Sequence, residues 1–426
     1  MALLIAVSLL FPAAARAAIP LRPPQVPAGE VGDVVSHVDI ETYGVVDPAV
    51  VSHYLAMHKG SRIDQQAVDH DFNNLLRLGQ FQPRLEIKRG DEPNTVALRW
   101  IIQNKFIRPT THPYYGDAPL SAPIQGAGWV LTSPPLNSYG GYFSSYTQFS
   151  RRANLARVLY TQPLSFNPST GQQTSLIVDD FGGRGVFRAS QPRAINVFSW
   201  TTGQEALWLN QATNGTQVEA GMRVQRSTDQ LPSAIVATSV YSTYQHPAYN
   251  NELVAGVSHA CLVPFTHWYP PSCTHQFRFQ VTDAVGGLGA TSRFRVASGD
   301  YVQYLSIGQS TLALHGQIAR TGGVIPDSFL LCAVGKAYPK SFCGTDEQNM
   351  QAEFRLDDHL NHPFQLIFFT EDASSRVRGS EVPYATRYFS WWPDSGVGFV
   401  YKIVRIDVSY GKDGGRLFGE LKGTIF

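Results

Sequence analysis

The stretch Gly396–Phe426, GVGFVYKIVRIDVSYGKDGGRLFGELKGTIF, decides how this chain is read. Apolar and polar residues alternate along it. Successive side chains of a strand point to opposite faces, so alternation builds one apolar and one polar face. The Gly-rich break at Lys412–Gly415 separates two such strands. The stretch stops on Phe426 with no polar tail. Such an ending is expected of a membrane β-barrel, whose last strand must pair with its first. An open edge in lipid would leave backbone groups without partners.

Working upstream, the same text recurs from about Gly126. GYFSSYTQF, AINVFSWTT, QFRFQVTD and NMQAEFRL are separated by clusters of Gly, Pro, Asn, Ser and Asp. Phe277, Phe279 and Val281 fall on one face, and Gln276, Arg278 and Gln280 on the other. The expectation for residues 126–426 is a transmembrane β-barrel of about sixteen antiparallel strands, apolar outside and polar inside. Composition agrees: 16% of residues are charged, below the usual ~25%, and 12% are aromatic. A secreted all-β sandwich would share much of this composition. No run reaches the ~18 apolar residues of a membrane helix. The 34 basic and 33 acidic residues leave no footprint for nucleic acid.

The N-terminus reads as a secretory signal over 1–17, with an apolar core Leu3–Pro12 and a small-x-small site Ala15-Arg16-Ala17. A Pro-rich linker follows over 18–33 and a second linker over 105–125. Export makes an even cysteine count a disulfide signal. Cys261 pairs by proximity with Cys273, and Cys332 with Cys343, each stapling a loop. No CxxC or HxxxH spacing supports a metal, and no cofactor is expected.

Between the linkers, residues 34–104 read as a small α/β unit. VVSHVDIETYG is a strand. Asp47-Pro48 starts a helix expected to run to Gly60, with Val51 and Leu55 on one face. Asp64 caps a second helix whose Val68, Phe72, Leu75 and Leu76 form an apolar stripe. Two strands close the unit, one alternating at Leu85 and Ile87, the other at Val96, Leu98, Trp100 and Ile102.

This β-α-α-β-β order, with Gly60 and Ile63 between the helices and Leu76, Gly79 and Phe81 in LRLGQF, resembles a POTRA domain, the periplasmic module of the Omp85 family. The C-terminal third resembles the same family. VRIDVSYG at Val404–Gly411 is similar to its penultimate-strand signature. Gly423 and Phe426 match its closing pattern, read as an assembly signal on a strand that carries Phe418 and Gly419. QAEFR at Gln351–Arg355 resembles its twelfth strand, and LIFFTEDAS at Leu366–Ser374 its thirteenth. The resemblance implies that Glu353 and Asp372 face the lumen and receive an arginine from the sixth extracellular loop. It also implies a bacterial outer-membrane location, with the POTRA unit in the periplasm and the barrel assembled by the barrel-insertion machinery. Its work would be inserting or translocating an unfolded protein or lipid client. The alternative is a passive or structural pore that keeps the fold without that role.

The sequence departs from the family at the sixth loop. LCAVGKAYPKSFCGTDEQNM, Leu331–Met350, carries no Arg-Gly pair. Lys336, Lys340 or, after the thirteenth strand, Arg378 are the cations left to answer the acids. No GxSxG, P-loop, dinucleotide fingerprint or HExxH is present, so no enzymatic activity is expected.

Overall fold

The computed structural model describes residues 24–43, 46–77, 81–104, 107–110, 127–133, 135–137, 139–149, 154–189, 195–212, 215–230, 248–259, 274–308, 310–323, 331–333, 342–356, 364–376, 389–401, 404–411 and 414–421. The proposed signal, most of the linkers, and Cys261, Cys273, Lys336, Lys340, Arg378, Gly423 and Phe426 lie outside these residues.

The N-terminal unit is a three-stranded sheet carrying two helices. β1 (Val34–Tyr43) lies parallel to β3 (Thr95–Asn104), and β2 (Phe81–Arg89) antiparallel to it, in the order β1-β3-β2. Val96, Leu98, Trp100 and Ile102 alternate on one face and are all 0% exposed. They meet Val50 and Val51 of α1 (Pro48–His53) and Val68, Phe72 and Leu75 of α2 (Gln65–Arg77). Burying such side chains is worth roughly 1.5–3 kcal/mol each, which makes this face the source of the unit's stability. Both expected caps form: Asp47 Oδ1 accepts from the Ala49 amide at 2.9 Å, and Asp64 Oδ1 from the Ala67 amide at 2.7 Å.

The first helix is shorter than expected. It ends after His53, not at Gly60, because the carboxylate of Asp71 captures the next free amides, Ala56 at 2.8 Å and Met57 at 3.0 Å. Leu55 is still buried, but from the turn. Gly60 sits at φ +92°, within that turn.

Among the described residues, the rest forms one antiparallel sheet of sixteen strands. It begins with β4 (Ile107–Thr110), β5 (Ala127–Thr132), β6 (Tyr142–Phe149), β7 (Asn154–Asn167) and β8 (Gln172–Ala189). β9 (Ile195–Gln211), β10 (Thr216–Gln230), β11 (Ala248–His259), β12 (His275–Ala284), β13 (Phe294–Ile307) and β14 (Ser310–Gly323) follow. A ribbon of β15 (Leu331–Ala333) and β16 (Phe342–Gly344) then stands apart from the sheet. The sheet resumes with β17 (Asp346–Leu356), β18 (Phe364–Arg376), β19 (Phe389–Tyr401), β20 (Val404–Gly411) and β21 (Gly414–Leu421). Each sheet strand pairs with the next in sequence, and β4 and β21 are the two edges. No described helix is long and apolar enough to cross a membrane.

The alternation read from sequence separates two faces. Val178, Ala206, Met222 and Leu253 are register neighbours across β8 to β11, and Val178, Met222 and Leu253 are 43–51% exposed. One residue along, Asp179, Glu205, Arg223 and Glu252 are register neighbours too, and all are at most 7% exposed. The apolar side is thus the outer face and the charged side the inner. This inverts the pattern of a water-soluble domain and matches a sheet whose outside meets lipid.

Successive connections alternate between the two ends. The turns after β5 and β7 share an end with those after β9, β11 and β13. The N-terminal unit docks at this end. Tyr54 is fully buried against Phe166, ring centroids 4.3 Å apart, and its hydroxyl donates to the Tyr139 carbonyl at 2.9 Å. Burial pushes this phenol above its ordinary pKa, so it stays a donor. Asn74 Nδ2 donates to the Pro168 carbonyl at 3.0 Å, and the His70 ring meets the same oxygen at 2.6 Å.

Candidate functional site

The inner face of the sheet is the candidate site. Charge is concentrated there because every second residue of a strand is turned away from the apolar outside. Its largest feature is a ladder across β7 to β12. Arg157 is ion-paired with Asp179, and its Nη2 lies 3.9 Å from Glu205. Arg223 donates to Glu205 through Nε at 3.1 Å and Nη2 at 3.3 Å, and to Glu252 through Nη1 at 3.3 Å. Asn250 Nδ2 completes Glu252 at 2.6 Å, and Thr282 Oγ1 at 3.4 Å. Nearer the end that carries the N-terminal unit, Arg278 and Gln280 both donate to Glu219 at 3.0 Å. Charges held this far from bulk water persist only when paired and hydrogen-bonded.

Close packing fixes the wall between these charges. Phe181 lies across from Gly203, where an added Cβ would stand 2.5 Å from Phe181 Cζ and 2.5 Å from the Val224 carbonyl oxygen. Phe369 covers Gly396 in the same way across β18 and β19. Glycine is required at both places to let an aromatic ring lie flat on the wall.

The expected acids divide. Glu353 points inward, between register partners Ala313 and Phe369, and accepts from Arg355 Nε at 2.6 Å. Asp372 does not share this face. It follows the parity of Leu366 and Phe368, and its register partners Met350 and Pro393 are exposed. The inner residue of that strand is Glu371, 3% exposed, across from Gln351 and Asp394. Matching the strand to a family pattern by composition slipped the register by one residue, which exchanges faces completely. Asp394 and Asp407, 1% and 0% exposed, extend the inner acids onto β19 and β20.

The ribbon β15–β16 lies in the connection between β14 and β17, where the sixth loop is expected. It approaches β8 on one side and β17 and β18 on the other. Strands so far apart in the sheet order meet one ribbon only if the sheet curls around it. Cys332 and Cys343 are direct register partners in this ribbon. The backbones of Phe418 and Gly419 pair with Asp407 and Ile406 on β20, placing the closing strand at the sheet edge.

Solved structures with this arrangement exist. BamA from Haemophilus ducreyi lacking POTRA domains 1–3 superposes with TM-score 0.57 at 12% identity, over 91% of this chain and 83% of that one. The chain shares the fold of that structure. CdiB from Escherichia coli matches with TM-score 0.55 at 9% identity, over 91% of this chain and 76% of that one. CdiB from Acinetobacter baumannii matches with TM-score 0.52 at 11% identity, over 92% and 73%. No family model matches the sequence, and no curated protein matches it.

The ladder residues Asp179, Glu205, Arg223 and Glu252 are not among the residues picked out by motif. Their signal is parity: each stands one position from an apolar residue within an alternating strand. It becomes legible once strand register is known.

Proposed function

We propose that the chain is an outer-membrane Omp85-type barrel that inserts or translocates a protein or lipid client, with residues 34–104 as a periplasmic POTRA docking domain. The observation that carries this reading is the ribbon between β14 and β17, which approaches β8 on one side and β17 and β18 on the other. The POTRA reading is supported by the β-α-α-β-β order. It is also supported by the extent of the likeness to BamA: 91% coverage exceeds what residues 107–426, about three quarters of the chain, can supply.

In this proposal β4 and β21 close the barrel, and their seam is its working part. They are the two edge strands of the described sheet. A client strand could add to an edge freed there, by strand addition. Gly415 and Gly419 leave β21 fewer side chains to pack. Disulfide-trapping cysteine pairs, one in Ile107–Thr110 and one in Gly414–Leu421, should abolish client insertion when oxidised and restore it on reduction. Full activity with the seam locked would overturn the gate. The absence of an Arg-Gly pair from Leu331–Met350 favours the second reading, a pore without translocase work. Under that reading, deleting the chain leaves the outer-membrane proteome unchanged.

A further inference from the structure

We propose that the outer face of β14, β17 and β18, at the end opposite the N-terminal unit, binds phosphate groups of lipids in the adjoining leaflet. This rests on the membrane-barrel reading above and goes beyond it.

The arginines of the outer face occupy one end. Among the sheet residues whose side chains are described, the outward ones are Arg226, Arg295, Arg320 and Arg376. Each lies within four residues of the strand terminus at that end. In the half nearer the N-terminal unit, no Lys or Arg is described on this face. Its rim there carries His259, His275, Phe277 and Tyr301, with the two imidazoles stacked at 5.3 Å. The two ends therefore suit different surroundings, one aromatic and uncharged, the other cationic.

Two of the arginines have acidic partners. Arg295 Nη2 meets Asp283 at 2.6 Å, and Arg320 Nε meets Asp346 at 3.0 Å. Arg376 is the register partner of Asp346 from the other side. It is exposed, and no ion pair holds its guanidinium among the described residues. Two arginines thus stand on either side of one aspartate in register, and the contact of Arg320 with it is through Nε, leaving the terminal nitrogens for another ligand. One step toward the membrane centre, Gln348 and Ser374 are register partners and add neutral hydrogen-bonding groups. A guanidinium beside lipid with no acidic partner among the described residues calls for an anion, and its fork of donors fits phosphate oxygens in pairs. A headgroup phosphate is the anion present at that depth of a membrane.

The test uses the full chain in nanodiscs containing diphosphorylated lipid A, dephosphorylated lipid A or phosphatidylcholine, with bound lipid counted by native mass spectrometry. The wild type should retain the diphosphorylated lipid about tenfold better than the Arg320→Gln/Arg376→Gln variant, a difference of ~1.4 kcal/mol. Retention of the other two lipids should be equal in both proteins. Arg376→Gln alone, which disturbs no described side-chain contact, should show part of the loss and guards against misfolding of the double variant. Equal retention by all three proteins would overturn the proposal. So would displacement of the lipid by an equal concentration of inorganic phosphate, which would mark a site for the free ion. A chain that enters no nanodisc would instead overturn the barrel reading.

Discussion

Asp71 shows how one buried carboxylate shapes a domain. It stops α1 by taking the amides of Ala56 and Met57, and it is itself 0% exposed. Burial raises its pKa, and the two amide hydrogen bonds only partly offset that. The folded unit therefore holds this proton more tightly than the unfolded chain does. Its contribution to stability is greatest below the unfolded value near 3.8 and declines as pH rises through the raised folded value. Hydrogen exchange of the α2 amides in the full chain should show protection falling across this window. Asp71→Asn should flatten that dependence, at a cost of about 1–3 kcal/mol for the altered amide contacts. An unchanged slope in the variant would assign the pH dependence elsewhere. The sequence announces the caps Asp47 and Asp64, because capping is local. It does not announce Asp71, because its partners lie on the preceding turn. Asp372 and Glu371 teach the same at the inner wall: a family pattern locates an acidic pair, and only strand register says which member faces inward.

At the level of elements, the ladder across β7 to β12 couples strands that hydrogen bonding joins only to immediate neighbours. Arg223 bridges β9 and β11 from β10. Arg223→Met should leave Glu205 and Glu252 undercompensated and destabilise the sheet by about 3–5 kcal/mol, the typical result of removing one partner from a buried network. The unfolding midpoint in detergent, followed by heat-dependent gel migration, would read this. Adding Glu205→Gln and Glu252→Gln to the same chain should recover most of the loss. A triple variant no better than the single one would mean that Arg223 acts through packing. Strand count and alternation are legible in the sequence because period two survives in every segment. The ribbon's position against β8 is not, since no local pattern encodes contact between elements so distant along the chain.

At the scale of the molecule, the N-terminal unit is seated on the turns after β5 and β7 through Tyr54, Asn74 and His70. Phe166 belongs to the sheet yet packs against the core of the small unit. Phe166→Ala should leave both bodies folded and loosen their mutual orientation. Distances between spin labels at Glu92 and Asn210 would be narrowly distributed in the wild type and broad in the variant. Equal widths would show that the hydrogen bonds to Pro168 and Tyr139 suffice.

Strand order also has a consequence for redox chemistry. The strands on either side of Cys261 and Cys273 in sequence end at His259 and begin at His275, both at the end where the small unit is seated. The ribbon bearing Cys332 and Cys343 lies between β14 and β17, whose connection belongs to the opposite end. If the sheet spans a membrane, the connections that carry these two sets of cysteines open on opposite sides of it. A thiol reagent that cannot cross the membrane would then distinguish Cys261 and Cys273 from Cys332 and Cys343, so labelling of intact cells becomes a direct reading of which way the chain is inserted.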